Sequence, residues 1–146
     1  MSTFELKTHQ VGRTYSNPHF FILNKGLNSG KPLPDPCPNC FVVITKTETD
    51  KNTLFYLSMM LQIGGFYAHY LKGSVIPFIS IDDCRNTLKK GLISNRNNSG
   101  QIQKLINVVE VITKKQNELQ NTINKMSDLK MAYIRNCFNL MQSKVV

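Results

Sequence analysis

The sequence predicts an α+β fold, in which a small mixed domain is followed by one long C-terminal coiled-coil helix. Short apolar runs bounded by glycine, proline and asparagine are typical of strands and occur in the first half of the chain. The polar stretch SNRNNSG is typical of a linker, and an uninterrupted heptad pattern follows it. These observations divide the chain into a domain over residues 1–93, a linker over 94–100 and a helix over 101–142.

The first half contains the predicted strands and one buried helix. A loose alternation around residues 4–6 predicts a first strand, and the continuously apolar residues 20–23 predict a buried one. Residues 41–45 predict another strand after an irregular connection rich in glycine and proline. We expect Asp50 to cap a helix through NTLFYLSMMLQI, whose wide apolar face indicates burial. Gly64-Gly65 should end this helix.

The segment GSVIPFISIDDCRNTLKKG predicts a short strand followed by a short helix. Pro77 interrupts the strand, because proline cannot donate a ladder hydrogen bond. Ser80 and Asp83 have the spacing of a capping box, so a helix is expected to begin there. The same helix is expected to stop at Gly91.

The last third of the chain has the pattern of a coiled-coil helix. Apolar residues recur at alternating steps of three and four, without an internal proline or glycine, and such a stripe needs a partner helix. We therefore expect two copies of the helix to associate. Gln116 and Lys130 lie at seam positions, where polar residues fix the register of the helices and lower their stability. A helical hairpin within one chain is the alternative. The predicted dimerisation residues are Ile102, Leu105, Val109, Ile112, Leu119, Ile123, Met126 and Tyr133.

The charge balance points to a polyanionic partner. The chain has 18 lysines and arginines against 9 aspartates and glutamates, an excess that favours nucleic acid before membrane. The alternative is that the excess serves solubility alone. The predicted nucleic-acid-binding residues are Arg13, Asn24, Lys25, Asn28, Lys31, Lys72, Arg85, Lys89, Lys90 and Arg96.

The loop NKGLNSGK, residues 24–31, is a candidate contact loop. It lacks the spacing of a phosphate-binding P-loop, and Pro32 follows it where a helix would have to start. Its lysines, asparagines and serine suit backbone phosphates and base edges. A turn that only connects two strands is the alternative interpretation.

The four cysteines predict neither a disulfide framework nor a cofactor. Cys37 and Cys40 have the spacing of half a zinc site, but no second paired motif completes four ligands, so we expect no metal. A strand follows the pair, which excludes a thioredoxin-like role. No nucleophile with a matched base and acid can be assembled around His19 or His69, so we expect no enzyme. The cysteines and the N-terminal residues, which lack an apolar signal core, predict a cytoplasmic protein, or a virion protein if it is phage-encoded.

Residues 50–140 resemble half of a type I restriction-modification specificity subunit. The resemblance lies in LFYLSMMLQIGGFYAHYLKGSVIPFISIDDCRNTLKKGL, the polar linker and a long helix ending in DLKMAYIRNCF. In addition, PHFFILNKGLNSGKP followed by CPNCF resembles a small family of half-subunit-like proteins from Bacteroides-type bacteria, their mobile elements or phages. The residues that match the family's turn and helix end are Gly73, Ser74, Pro77, Ile79, Ser80, Leu129, Lys130 and Phe138.

This resemblance implies a target recognition domain joined to a conserved-region helix. A full subunit has two recognition domains and two helices, so a homodimer of this chain would restore the two-fold arrangement. The chain has KKGLISNRNNSGQIQ where the family carries a proline-rich segment, which leaves open whether a methyltransferase is bound. The sequence thus predicts a homodimeric DNA-binding protein. The alternative is a structural or protein-interaction component of a phage or mobile element, with a phage or host protein as partner.

Overall fold

A computed structural model describes residues 3–145 and confirms the α+β class with a long C-terminal helix. Four strands form one antiparallel sheet in the order β1-β4-β2-β3, and three helices follow the last strand. A short 3-10 turn at Ala68–Tyr70 lies between the first two helices. The elements are β1 (Glu5–Thr8), β2 (His19–Leu23), β3 (Pro32–Leu33), β4 (Cys40–Ile44), α1 (Glu48–Ile63), α2 (Ile81–Ser94) and α3 (Ser99–Ser143).

Both faces of the sheet are covered, which explains the continuously apolar sequence of β2. Phe20 and Ile22 lie on the face that packs against α1 and α2, together with Val43 of the neighbouring strand. Phe21 points to the other face and forms a smaller cluster with Cys40 and Val42. Side chains alternate between the two faces of a strand, so a strand buried on both sides needs apolar residues at every position.

Helix α1 begins earlier than the sequence indicated. Thr47, and not Asp50, is the N-cap: its hydroxyl accepts a hydrogen bond from the Asp50 backbone N–H at 3.1 Å and donates one to the Asp50 carboxylate at 2.9 Å. Asp50 therefore lies in the first turn, where its negative charge is favourable near the helix N-terminus.

Helix α2 begins at the predicted cap and continues past its predicted end. Ser80 and Asp83 form the capping hydrogen bonds, with the Asp83 N–H donating to the Ser80 hydroxyl at 3.2 Å. Gly91 does not terminate the helix but is buried within it. A Cβ added at this position would lie only 3.1 Å from the Leu61 side chain of α1. The glycine therefore allows close packing of two helices. The predicted strand around Pro77 is absent as well: residues 73–77 form a loop.

The chain divides at Ser99 into two compact units, of which the second is helix α3 by itself. Its 45 residues correspond to a length of about 67 Å at ~1.5 Å per residue. Most of the predicted seam is exposed, with Leu119 at 54%, Met126 at 65% and Tyr133 at 69% of their full accessible surface. Within residues 3–145, no helix combines the length and apolar character needed to cross a membrane.

Candidate nucleic-acid interface

The candidate interface is built where the loop at 24–31 meets the segment 72–79. The Gly26 N–H donates to the Pro77 carbonyl at 2.7 Å, and the Ile79 N–H donates to the Asn24 carbonyl at 3.0 Å. On the other side of Phe78, Lys72 and Phe78 exchange two backbone hydrogen bonds of 2.9 Å. Three short segments therefore lie side by side, with Phe78 in the middle one.

This pairing places Lys25, Phe78 and Lys72 in one row. Both lysines form antiparallel bridges with Phe78, and residues directly opposite each other in such pairs present their side chains on the same face. Phe78 is 41% exposed, and both lysines are exposed. We call these three residues the Lys–Phe–Lys row. An aromatic ring between two cations is an arrangement suited to a base and its flanking phosphates.

Two glycines give the backbone the conformations that this arrangement needs. Gly26 has φ +91° and Gly73 has φ +95°, in a region that other residues rarely adopt. A Cβ at Gly73 would lie 2.9 Å from the Ile76 carbonyl oxygen and 3.5 Å from Cδ1 of Phe78. The ring of Phe78 thus lies next to a position that only glycine fills.

The loop at 24–31 is anchored to the core at its far end. The buried Ser58 hydroxyl donates to the Gly30 carbonyl at 2.9 Å and lies 3.1 Å from the Tyr67 hydroxyl. The Ser29 hydroxyl donates to the Gly26 carbonyl at 2.7 Å within the loop. These bonds make the loop a fixed part of the domain surface and satisfy its buried polar groups.

The lysines of the interface differ in their ion pairs. Lys72 lies 3.6 Å from Asp83, the residue that completes the cap of α2, but its side chain is 60% exposed. In the described part of the chain, Lys25 and Lys31 form no ion pair. Exposed ion pairs contribute little free energy, so Lys72 can turn from Asp83 to a phosphate at small cost.

The other predicted contact residues are spread over the domain. Arg85 donates to Asp82 at 2.7 Å and to the Leu6 carbonyl at 3.3 Å, next to the edge strand β1 and thus at the edge opposite β3. Arg13 lies 5.9 Å from the ring of Tyr15. The backbone of Asn24 is hydrogen-bonded to Asn39 and Ile79, and Asn28 is exposed in the loop. The remaining predicted residues are exposed on α2 or just after it: Lys89, Lys90 and Arg96.

The aromatic residue of the interface is Phe78, whereas the tyrosines Tyr15, Tyr67 and Tyr70 are engaged elsewhere. Tyr67 is only 1% exposed and packs in the core, Tyr70 packs against the same core, and the Tyr15 hydroxyl is hydrogen-bonded to His9. Sequence reasoning missed Phe78. Its only local signal is the alternation in PFIS, which places Phe78 and Ile79 on opposite faces of an extended segment.

The cysteine pair lies on the opposite face of the sheet from α1 and α2. The Cys40 thiol donates to the Cys37 carbonyl at 3.0 Å, and burial raises the pKa of Cys40 to about 11. A thiol in this state is a poor metal ligand and a poor nucleophile. Within residues 3–145, no group of three histidine, cysteine or acidic side chains could hold a metal ion.

Comparison with known proteins gives one family. The model of a family described as "Family of unknown function (DUF6943)" matches residues 6–136, which is most of the chain. Neither the curated proteins nor the solved structures contain a match to the chain. The resemblance to restriction-modification specificity subunits therefore stays a prediction.

Proposed function

We propose that this chain, which belongs to the DUF6943 family, is a non-enzymatic DNA-binding protein that acts as a homodimer. The observation that carries the proposal is the Lys–Phe–Lys row, whose Lys25 belongs to the same loop as Lys31. It combines cations for phosphates with a ring for a base, on a chain of net charge +9. The arrangement of one binding domain and one long helix is the one expected for half of a specificity subunit.

Helix α3 supports the dimeric part of the proposal. Its exposed seam runs over more than five heptads, and an apolar stripe of this length is an association surface. A second copy of α3 provides a stripe of equal length and the same spacing. Pairing two copies also doubles the number of DNA-binding domains in one particle, which strengthens binding to a long polyanion.

The test is the affinity for mixed-sequence duplex DNA at several salt concentrations. The double variant Lys25→Gln/Lys31→Gln should bind more weakly, and the slope of log affinity against log salt should flatten by about 1.8, since each phosphate contact contributes roughly 0.9. The matched control is Lys7→Gln/Lys51→Gln, which removes the same charge from two lysines paired with Glu5 and Glu48. An equal loss in both variants would show that only net charge matters and would overturn the proposed site.

A protein-interaction role is the second candidate, and exposed apolar residues next to the row favour it. Leu27 is 80% exposed, Val75 is 89% exposed and Ile76 is 64% exposed. Apolar side chains at the tips of two adjacent loops are common in protein interfaces. In this role the chain is a component of a phage or mobile element, with a phage or host protein as partner. Absence of any DNA affinity in the unmodified protein would favour this candidate.

A further inference from the structure

We infer that the Lys–Phe–Lys row binds an unpaired base, so that the ligand of this site is single-stranded nucleic acid. The inference rests on the proposed function. It narrows the proposed ligand from DNA in general to a single strand whose bases are unpaired. It concerns residues that come together only in the folded chain: Lys25 from the β2–β3 loop, and Lys72 and Phe78 from the segment between α1 and α2.

The first argument is the position of the ring. Phe78 keeps 41% of its surface exposed although Ile79, the next residue, is 2% exposed and belongs to the core. The Phe78 N–H and carbonyl both pair with Lys72, the Pro77 carbonyl accepts from Gly26, and the Ile79 N–H donates to Asn24, so the backbone that carries the ring is held in place. A fixed and accessible ring loses little conformational entropy when a planar ligand stacks on it.

The second argument is the position of the two charges. Neighbouring strands are about 4.8 Å apart, so the backbone of one lysine lies at roughly this distance on each side of the Phe78 backbone. A nucleotide in a strand carries one phosphate before it and one after it. With a base on the ring, the two ammonium groups, on long flexible stems, are placed to reach these two phosphates.

The third argument decides between a single strand and a duplex. In a duplex, neighbouring base pairs cover both faces of each base, and a protein reads the edges in the grooves with side chains that accept or donate in a pattern. The three side chains of the row include no amide or guanidinium that could form two hydrogen bonds with one base edge. A ring with two cations can bind the face of a base and its backbone, which is the mode used for unpaired strands of any sequence.

The experiment measures binding of a labelled oligothymidylate and of a duplex of equal length by fluorescence anisotropy. Phe78→Leu should weaken binding of the single strand about tenfold, because base–aromatic stacking is lost while an apolar side chain is kept. Phe78→Tyr should bind like the unmodified protein. Phe66→Leu is the matched control, since Phe66 is 60% exposed and lies outside the row.

A second readout reports on stacking itself and does not depend on the stability of the leucine variant. The chain has five tyrosines but no tryptophan, so Phe78→Trp introduces a single tryptophan into the row. Its fluorescence should be quenched when oligothymidylate binds. The Lys25→Gln/Lys72→Gln variant should flatten the salt dependence for the single strand by about 1.4, at roughly 0.7 for each phosphate contact.

The outcomes separate this inference from the proposed function. The inference is wrong, and the DNA-binding proposal stands, if three results are obtained together. The protein binds the duplex more tightly than the single strand, Phe78→Leu leaves the affinity for the single strand unchanged, and the fluorescence of Phe78→Trp is not quenched by oligothymidylate. If neither nucleic acid binds the unmodified protein, both are wrong. Preference for the single strand with loss of binding in Phe78→Leu, but not in Phe66→Leu, supports both.

Discussion

Gly30 is the residue at which the contact loop meets the core most closely. It has φ +97°, and a Cβ added to it would lie 2.2 Å from Cδ2 of the buried Tyr67 ring. Its carbonyl also accepts the hydrogen bond from Ser58. The position therefore requires glycine for two separate reasons, backbone conformation and space.

Replacing Gly30 by alanine should strongly destabilise the domain. We expect a loss of about 3 kcal/mol, combining ~1–2 kcal/mol of left-handed strain with overpacking against Tyr67, measured by urea denaturation. Gly26→Ala is the matched control, because Gly26 has a similar φ of +91° but nothing within 4 Å of an added Cβ. It should lose only the conformational part, about 1 kcal/mol. Equal losses in the two variants would contradict the close contact at Gly30.

Two buried side chains that can lose a proton, Cys84 and Tyr67, should make the folded protein less stable at alkaline pH. Burial raises the pKa of Cys84 from 9.0 to about 12, and burial also raises the pKa of Tyr67. The unfolded chain releases these protons at lower pH than the folded chain does. Stability is therefore complete below about pH 9 and falls as the pH rises toward the folded-state values.

The corresponding measurement is urea denaturation at a series of pH values above 8. Each such group should lower the unfolding free energy by up to about 1.4 kcal/mol per pH unit between its two pKa values. Cys84→Ala removes one titrating group, so its stability should fall less steeply with pH than that of the unmodified protein. Parallel curves for the two proteins would show that Cys84 titrates normally in the folded chain.

At the scale of the element, the composition of α3 favours antiparallel pairing of two copies. In a parallel dimer in register, Lys130 would face the partner's Lys130 in the seam, and two like charges there are strongly unfavourable. In the antiparallel register that pairs Ile102 with the partner's Leu140, Lys130 faces the partner's Ile112 instead. The same register pairs the smaller Val109 with the partner's larger Tyr133. All twelve seam positions, which are the ten named above together with Cys137 and Leu140, then have a partner.

Cys137 provides a test of this register. It is a free thiol on α3 and lies opposite the partner's Leu105 in the antiparallel pairing, but opposite the partner's Cys137 in the parallel one. Under mild oxidation, Leu105→Cys should therefore form a covalent dimer, and the unmodified protein should form none through Cys137. Leu105→Cys/Cys137→Ser is the control and should lose this cross-link. A disulfide-linked dimer of the unmodified protein that Cys137→Ser abolishes would indicate parallel pairing.

At the scale of the whole molecule, dimerisation and nucleic-acid binding should be coupled through avidity. Ile112→Asp/Leu119→Asp places two charges in the seam without partners, so the dimer should dissociate into monomers. Light scattering measures this directly. Affinity for a DNA long enough for two sites should fall at least tenfold, whereas affinity for a one-site DNA should change little.

The control for this prediction carries a new acid on the outer face of the same helix. Asn121→Asp lies outside the seam, is exposed, and should stay dimeric with unchanged affinity for both DNAs. A stable monomer in the unmodified protein at micromolar concentration would remove the homodimer from the proposed function. The Lys–Phe–Lys row and its tests would not be affected, because they concern one domain.

The sequence by itself determined the features that depend on local periodicity. The α+β class, the buried β2, the cap at Ser80 and the long helix α3 all follow from spacing between near neighbours, and the structure has each of them. Two of the three residues of the row, Lys25 and Lys72, were predicted as nucleic-acid-binding residues, and that role stays a prediction. They were selected for their charge, and their position on either side of Phe78 was not predicted. Composition carries no information about which residues from distant parts of the chain are in contact.

Only the tertiary structure decided the features that depend on contacts between distant segments. The sequence predicted that Gly91 ends a helix, but Gly91 lies inside α2, where it allows close packing against Leu61. Phe78 was not predicted as a contact residue, but pairing of its backbone on both sides holds it at the surface between two lysines. The strand order and this row arise from hydrogen bonds between segments far apart in the chain, and local propensity does not encode such pairing.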